Sequence, residues 1–583
     1  MILDRINGPK DLKTLSASER KELAQEIRQA MLKRASIHGG HFGPDFGIVE
    51  STIALHTVFD SPKDKIVWDV SHQVYPHKIL TGRKQAYLEE EHYDDVSGYS
   101  NPAESEHDFF EVGHTSTSIS LASGLAMARD LRGGHENIIA VIGDGSMSGG
   151  EALEGLDTVG EMGTNMIIVL NDNQMSIAEL HGGMYKGFEE LRRTGGKSEH
   201  NLFRAMGLDY RFVADGNDSE ALIKVFREVK DIDHPVVVHI VTQKGKGYKF
   251  AEEDKESWHW HMPFDIETGE VKHPYVDEAA ELTATYLLDR MKTDKKLAVL
   301  TAATPASFGF TSERRKQAGK QFIDVGIAEE QAVAMASGLA KGGARPVFGD
   351  YATFFQRTYD QISQDVCINN NPAVFLVFGA SMYSMNDVTH LCFFDIPMMA
   401  NIPNLVYLAP VSLAEYKAML AWALDQTEHP VAIRVPVLPV SSEGRVIRTD
   451  YSQLNTYEVT RRGEEVAILG LGNFYGLAEQ TAAELEKKGI HATIINPTYI
   501  TGLDTDLLES LKKDHRLVVT MEDGVLDGGF GEKIARFYGS SDMKTCAFGL
   551  EKKFYDRYDY EKLAEEYNLK PELAAKKILD LIK

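Results

Sequence analysis

Asp144, inside Gly143-Asp144-Gly145, and Asn173, at the end of Asn171-Asp172-Asn173, carry the first chemistry legible in this chain. An aspartate supplies a hard anionic oxygen and an asparagine a neutral carbonyl oxygen. The pairing suits Mg²⁺ or Ca²⁺ and leaves coordination positions for a phosphate. Glycines on both sides of Asp144 let the backbone turn and come close to a ligand. Gly-Asp-Gly alone is usually only a tight turn after a strand.

The elements around the two motifs separate these readings. A β-branched apolar run at 138–142 leads into the first motif, a helical pattern runs from 150 to about 163, and a second apolar run at 166–170 leads into Asn-Asp-Asn. In such a strand-helix-strand unit the crossover returns the chain parallel, so Asp144 and Asn173 emerge at the carboxyl ends of neighbouring strands. Open α/β sheets bind ligands there. A helix beginning near Ser146 would aim its free N–H groups at the same anion.

Histidines recur in comparable loops. His41 sits in the glycine-rich stretch 38–47, and His72 and His77 lie in Ser71-His72-Gln73-Val74-Tyr75-Pro76-His77-Lys78. His114 sits in Val112-Gly113-His114-Thr115-Ser116, before an Ala/Gly-rich helical pattern. The apolar run 235–241 reads as a buried parallel strand that delivers Lys244-Gly245-Lys246-Gly247-Tyr248 and then Trp258-His259-Trp260-His261 to the same edge. Such histidines can exchange protons near neutral pH, although a histidine among glycines is often only a loop residue. Farther on, Glu329 opens an Ala/Gly-rich helix with a small-residue face at Ala334, Ala336, Gly338 and Ala340, where a carboxylate ordinarily balances the helix dipole. In Tyr351-Ala352-Thr353-Phe354-Phe355-Gln356-Arg357, Phe354 offers an apolar wall and Arg357 a bidentate phosphate donor.

Gly-Gly-His-Phe at 39–42, Ser-His-Gln-Val-Tyr-Pro-His-Lys at 71–78, Val-Gly-His-Thr-Ser-Thr-Ser at 112–118 and the Gly-Asp-Gly and Asn-Asp-Asn pair stand in a telling order and spacing. In this the chain resembles the 1-deoxy-D-xylulose-5-phosphate synthase family of transketolase-like thiamine diphosphate enzymes along essentially its whole length. Transketolases share the cofactor motif but not the full series. The resemblance implies three doubly wound α/β domains: a diphosphate- and Mg²⁺-binding domain at 1–270, a pyrimidine-binding domain at 285–450 and a transketolase C-terminal domain at 457–583.

The resemblance also implies a site. Mg²⁺ would be held by Asp144, Asn173 and the Met175 carbonyl. Thiamine diphosphate would lie against Gly113, His114, Thr115, Gly145 and Ser146, with His72, Asn173, Tyr248 and Phe354 as further contacts. Glu329 would hydrogen-bond its aminopyrimidine ring. His41, His72, His259 and His390 match catalytic positions, and Tyr351, Arg357 and Asn386 match substrate positions. The implied reaction condenses pyruvate, with loss of CO₂, and D-glyceraldehyde 3-phosphate to 1-deoxy-D-xylulose 5-phosphate, the first step of the non-mevalonate isoprenoid pathway. A homodimer is implied as well.

Three positions depart from the family. Gly379 stands where the family has an arginine, Asn386 replaces an aspartate, and Val437 replaces a second arginine after Arg434-Val435-Pro436. Arg357 and Arg434 remain as candidates for an acceptor phosphate. An alternative is therefore a transketolase-like carboligase taking another, unphosphorylated aldehyde. A non-catalytic ligand-binding paralogue is a second alternative, against which Asp144, Asn173 and Glu329 together argue.

Bulk properties narrow the class. A formal net charge of -25 on 583 residues argues against a nucleic-acid or anionic-membrane partner. Three cysteines are too few for a disulfide framework. No apolar run reaches the ~20 residues of a membrane span and the N-terminus is too polar for a signal peptide, so a cytoplasmic protein is expected. Residues 1–37 read as an exposed arm and a helix starting at Ser18, 192–201 as a mobile loop shorter than the family's, and 265–274 as a linker. The stretch 522–531 lacks the lysine of a phosphate loop and reads as a helix-opening turn.

Overall fold

The N-terminal arm is not exposed, because its apolar residues have somewhere to go. Ile2, Leu3 and Ile6 are buried, and the Ile2 and Leu3 backbone N–H groups donate to the Glu26 carboxylate at 3.0 and 2.6 Å. The helix that follows, Ala17–His38, starts one turn position earlier than Ser18 implies. Ser16 caps it, accepting from the Glu19 N–H while the Glu19 side chain reaches back, a reciprocal arrangement worth about 1 kcal/mol.

The computed structural model describes residues 1–583 in two units, one comprising Met1–Tyr275 with Gly326–Ala328 and the other Val276–Val325 with Glu329–Lys583. The first unit carries strands β1 (Gly40–His41), β2 (Lys65–Trp68), β3 (Ile138–Gly143), β4 (Met166–Asp172), β5 (Asp209–Val213), β6 (Pro235–Val241) and β7 (Trp260–His261). Strands β2 to β6 form one parallel sheet in the order β2-β3-β4-β6-β5, and β1 pairs with β7 in a short antiparallel ribbon. Alternate residues of β3 divide between two cores. Ile139 and Val141 pack with the helices Val49–Val58 and Ser219–Val229, while Ile138, Ala140 and Ile142 pack with Ser118–Leu131 and Gly150–Met162. A strand covered on both faces has no polar side, which explains the continuous apolar run. Each such side chain contributes roughly 1.5–3 kcal/mol on burial.

Two local expectations change here. After β3 the chain makes a 3₁₀ turn, Gly145–Ser148, and the helix begins only at Gly150. The region after Asn173 contains a helix, Met184–Arg193, that buries Phe188 and Leu191, and within the stretch read as a loop Ser198 and Asn201 are buried.

The second unit holds two sheets. Strands β8 (Leu297–Thr301), β9 (Phe322–Asp324), β10 (Arg345–Tyr351), β11 (Val374–Phe378), β12 (Val406–Leu408) and β13 (Val431–Arg434) are parallel, in the order β12-β13-β11-β10-β8-β9. Strands β14 (Glu458–Arg461), β15 (Glu465–Gly470), β16 (Thr493–Asn496), β17 (His515–Val525) and β18 (Lys544–Leu550) follow in the order β14-β16-β15-β17-β18, with β14 an antiparallel edge. This is the layered α/β architecture that the alternating pattern requires. Strand β13 is missed by periodicity because four residues after a proline are too few to show a repeat, yet it lies inside the sheet between β11 and β12. In the helix Glu329–Lys341 the buried face is Glu329, Ala332, Val333, Ala336, Ser337 and Ala340, so of the four small residues Ala336 and Ala340 are buried while Ala334 is half-buried and Gly338 exposed. The three cysteines are free and buried.

Candidate active site

In the first unit, adjacency of β3 and β4 brings the two acidic turns together. Asp144 is buried. Its Oδ1 accepts the Gly145 N–H at 3.0 Å and its Oδ2 the Gln174 N–H at 2.7 Å, while Asn173 Oδ1 accepts the Met175 N–H at 3.1 Å. Gln174 has φ 63, a left-handed conformation that these bonds hold in place. Burial, and then the neighbouring Asp172 carboxylate, push the Asp144 carboxyl well above the usual range. Asp172 is paired with Arg192 and His239, whereas Asp144 is met by backbone N–H groups, and a hard divalent cation is the chemistry that fits this dry, oxygen-rich turn.

Around this turn Gly145 and Gly149 are packed against neighbouring chain, leaving no room for a side chain. A Cβ on Gly145 would lie 3.1 Å from the Ser176 Cα, and one on Gly149 only 2.1 Å from the Ser116 Oγ. The loop bearing Gly113, His114 and Thr115 is fastened beside Ser146. Ser116 Oγ donates to the Ser146 carbonyl at 2.8 Å, and the N–H groups of Ser116 and Ser118 donate to the buried Asp69 carboxylate at 2.8 and 3.0 Å. Asp69 was not legible as a site residue, although it directly precedes the Val-Ser-His motif.

The histidines converge. The rings of His41 and His72 are 5.0 Å apart, those of His72 and His259 5.2 Å, and those of His41 and His259 5.8 Å. Desolvation, with a contribution from Lys244, pushes the His72 imidazole down to about 3 and holds His259 well below its ordinary value. Both rings are therefore neutral near pH 7, and their buried Nδ1 atoms have no hydrogen-bond partner within the protein. Such atoms are poised for a ligand. Lys244 is a further group that residue reading did not assign. It is buried, its Nζ donates to the Ser176 carbonyl at 2.7 Å, and burial pushes it down to about 7 against the opposing pull of Asp144. Its signal was a Lys-Gly-Lys-Gly run just beyond β6. Tyr248 instead joins an aromatic cluster with Phe42, Trp258 and Phe264, and its hydroxyl is committed to the Ile266 carbonyl at 2.9 Å.

In the second unit Glu329 opens its helix 3.9 Å from Arg357. Burial pushes the carboxyl up to about 7, with Arg357 opposing, and Oε2 has no hydrogen-bond partner. Asp350, at the carboxyl end of β10, is a second buried carboxyl that residue reading passed over. Its Oδ1 accepts from Thr304 Oγ1 at 2.9 Å and Tyr351 N–H at 2.8 Å, and its Oδ2 is unpartnered. Phe354 stands edge-on to Tyr351 and to His390, at 6.2 and 5.7 Å between centroids, and His390 Nδ1 meets Thr389 Oγ1 at 2.8 Å.

The departures have structural consequences. Gly379 has φ 66, and a Cβ there would lie 2.8 Å from Ser384 Oγ and 3.2 Å from the Tyr351 ring, so no larger side chain fits without rearrangement. The Asn386 amide donates to the Tyr558 carbonyl at 2.9 Å. The Val437 N–H donates to Asn473 Oδ1 at 2.8 Å. Arg434 is corrected as a phosphate candidate: it is 2% exposed and donates to Asp395 at 2.8 Å and to Asp523. Two buried carboxylates consume its charge.

A sequence model of 1-deoxy-D-xylulose-5-phosphate synthase matches residues 3–198 and 194–242, that of the transketolase pyrimidine-binding domain matches 279–440, and that of the transketolase C-terminal domain matches 455–572. Curated relatives named 1-deoxy-D-xylulose-5-phosphate synthase align end to end. The protein of Clostridium beijerinckii is 36% identical, covering 100% of this chain and 99% of its own, and that of Clostridium acetobutylicum is 37% identical, covering 99% of each. The protein of Halalkalibacterium halodurans is 35% identical over 100% of this chain and 99% of its own.

Proposed function

The chain belongs to the 1-deoxy-D-xylulose-5-phosphate synthase family, and from that premise we propose that it condenses pyruvate, with loss of CO₂, and D-glyceraldehyde 3-phosphate to 1-deoxy-D-xylulose 5-phosphate as a thiamine diphosphate- and Mg²⁺-dependent transferase. The observation that carries the reading is Glu329: a buried carboxyl whose Oε2 has no hydrogen-bond partner and whose proton affinity is near neutrality, at the head of a helix in the pyrimidine-binding domain.

Asp144, Asn173 and the Met175 carbonyl would hold Mg²⁺, with Gly113, His114, Thr115, Gly145 and Ser146 along the diphosphate. When bound, thiamine diphosphate supplies a nucleophilic ring carbon and an electron sink for decarboxylation. Glu329 Oε2 holds a proton near pH 7 and shares it with a ring nitrogen, which a permanently ionised carboxylate could not do. His72 and His259, uncharged at that pH, accept and donate hydrogen bonds with His41 at substrate oxygens that gain or lose charge, and His390 serves the same end in the second unit. Phe354 and Tyr351 keep water from the reacting carbon, and Arg357 binds an anionic end of the acceptor. We assign the active form as a homodimer in the cytoplasm, at the first step of the non-mevalonate isoprenoid pathway. Among the helices none is long and apolar enough to cross a membrane.

A second reading rests on Gly379, Val437 and the buried Arg434, which leave Arg357 as the remaining family-type cation: the acceptor is a short aldehyde without a phosphate. The deciding experiment follows CO₂ release from pyruvate alone and with a panel of phosphorylated and unphosphorylated aldehydes. No release with any of them would reject both readings. Light scattering that finds only monomer in the cofactor-loaded protein would reject the dimer.

A further inference from the structure

The helix Met184–Arg193, in a region whose sequence does not announce one, is fastened at both ends to the acidic turns. In its first turn the Tyr185 hydroxyl donates to the Asp144 carbonyl at 3.0 Å and approaches the Gly145 carbonyl at 3.4 Å. In its last turn the Arg192 guanidinium donates to Asp172 Oδ2. That oxygen also meets His239 Nε2 at 2.9 Å, and His239 Nδ1 meets the Tyr210 hydroxyl at 2.8 Å. Between the two fastenings Phe188 is buried, its ring 5.6 Å from that of His239. Residues 185, 188 and 192 are spaced to share one face of a helix.

What Arg192 holds matters because of where Asp172 reaches. Asp172 Oδ1 accepts the Gln174 N–H at 3.2 Å, the same N–H that Asp144 Oδ2 accepts at 2.7 Å. This left-handed residue thus pivots between two carboxylates. Arg192 neutralises the charge of Asp172 by a charge-assisted bond, so both carboxylates can stay on that N–H without driving each other apart. Tyr185 meanwhile ties down the carbonyl of the other turn.

We propose that the helix Met184–Arg193 is a brace for the divalent-cation site, with Tyr185 and Arg192 as positioning residues that hold the Asp144 turn and the Asn173–Met175 turn in ligating geometry. The inference rests on the reading of Asp144 and Asn173 as cation ligands. Coupling must run both ways: a docked helix raises affinity for the cation, and the bound cation secures the helix.

Mn²⁺ titrated into the full chain with thiamine diphosphate, followed by electron paramagnetic resonance, tests this. Arg192→Ala is expected to weaken Mn²⁺ binding by about 10–100-fold, the usual cost of removing a group that orients a metal ligand, and Arg192→Lys to restore part of it. In assays the loss should fall on the KM for Mn²⁺ rather than on kcat. Trypsin cleavage between Lys186 and Lys197 should slow when Mn²⁺ and cofactor are added to the wild type, and not in Arg192→Ala. Tyr185→Phe, which removes only a hydroxyl, is the variant that keeps the fold, and it should weaken Mn²⁺ in the same direction. Wild-type affinity in both Arg192→Ala and Tyr185→Phe would overturn the brace while leaving the ligands in place. A wild type that binds thiamine diphosphate but no Mn²⁺ would instead overturn the ligand reading and the brace with it.

Discussion

The Glu329 carboxylate lies 3.9 Å from the Arg357 guanidinium, too far for a hydrogen bond and near enough for each charge to act on the other. Burial favours the neutral carboxyl and the arginine favours the ionised one. Burial prevails, and the group titrates near neutrality. Glu329→Gln keeps the shape of this side chain but cannot exchange a proton. It should bind thiamine diphosphate normally and lose about 10²-fold or more in pyruvate-dependent CO₂ release. Near-normal release would sink the assignment.

The same carboxyl should cost the unliganded protein stability in a defined pH window. Its value is raised from 4.5 to about 7, so the folded state binds this proton more tightly than the unfolded state does. Stability from this group is therefore full below about 4.5, declines as pH rises towards 7, and stays low above that. At ~1.4 kcal/mol per unit the penalty is on the order of 3–4 kcal/mol. Thermal melting of the cofactor-free protein should show Glu329→Gln melting above the wild type at pH ~8 and level with it at pH ~4. A constant difference across that range would contradict the sign.

Asp144→Ala should abolish Mg²⁺-dependent binding of thiamine diphosphate, because it removes the one anionic oxygen assigned to the cation. Calorimetric titration with and without Mg²⁺ reads this directly. Full affinity in the variant would place the metal elsewhere.

Phosphate recognition should be weak for this family. A charge-assisted bond contributes ~1.5–3 kcal/mol, and Gly379 and Val437 supply none. The ratio of kcat/KM for glyceraldehyde 3-phosphate to that for glyceraldehyde should accordingly be modest, and Arg357→Ala should lower it at least about tenfold, the equivalent of ~1.4 kcal/mol. A large preference for the phosphorylated aldehyde that survives Arg357→Ala would mean another cation holds the phosphate.

Arg434 should matter for stability and not for the acceptor. Arg434→Met strands Asp395 and Asp523 in a dry core, at a cost of roughly 3–5 kcal/mol. Unfolding by urea at neutral pH should show it. A variant as stable as the wild type, with KM for glyceraldehyde 3-phosphate raised, would return Arg434 to the substrate pocket.

Residue order alone determined a good deal. The apolar runs before Asp144 and Asn173, the crossover between them and the sheet edge they share follow from periodicity, because a strand's alternation and a helix's turn repeat within a few residues. The histidine loops were legible for the same local reason: short motifs beside glycine. What tertiary structure decided was the fate of individual polar side chains. Arg434 is consumed by Asp395 and by Asp523, 89 positions away, and the Gln174 N–H is shared by Asp144 and Asp172 from different strands. Lys244 owes its lowered proton affinity to burial. Arg192 and Tyr185 acquire a role only because Phe188 docks their helix against His239. Charge and hydrogen-bonding capacity are properties of a residue, whereas desolvation and partnership are properties of its surroundings, and those are assembled from segments that only the fold brings together.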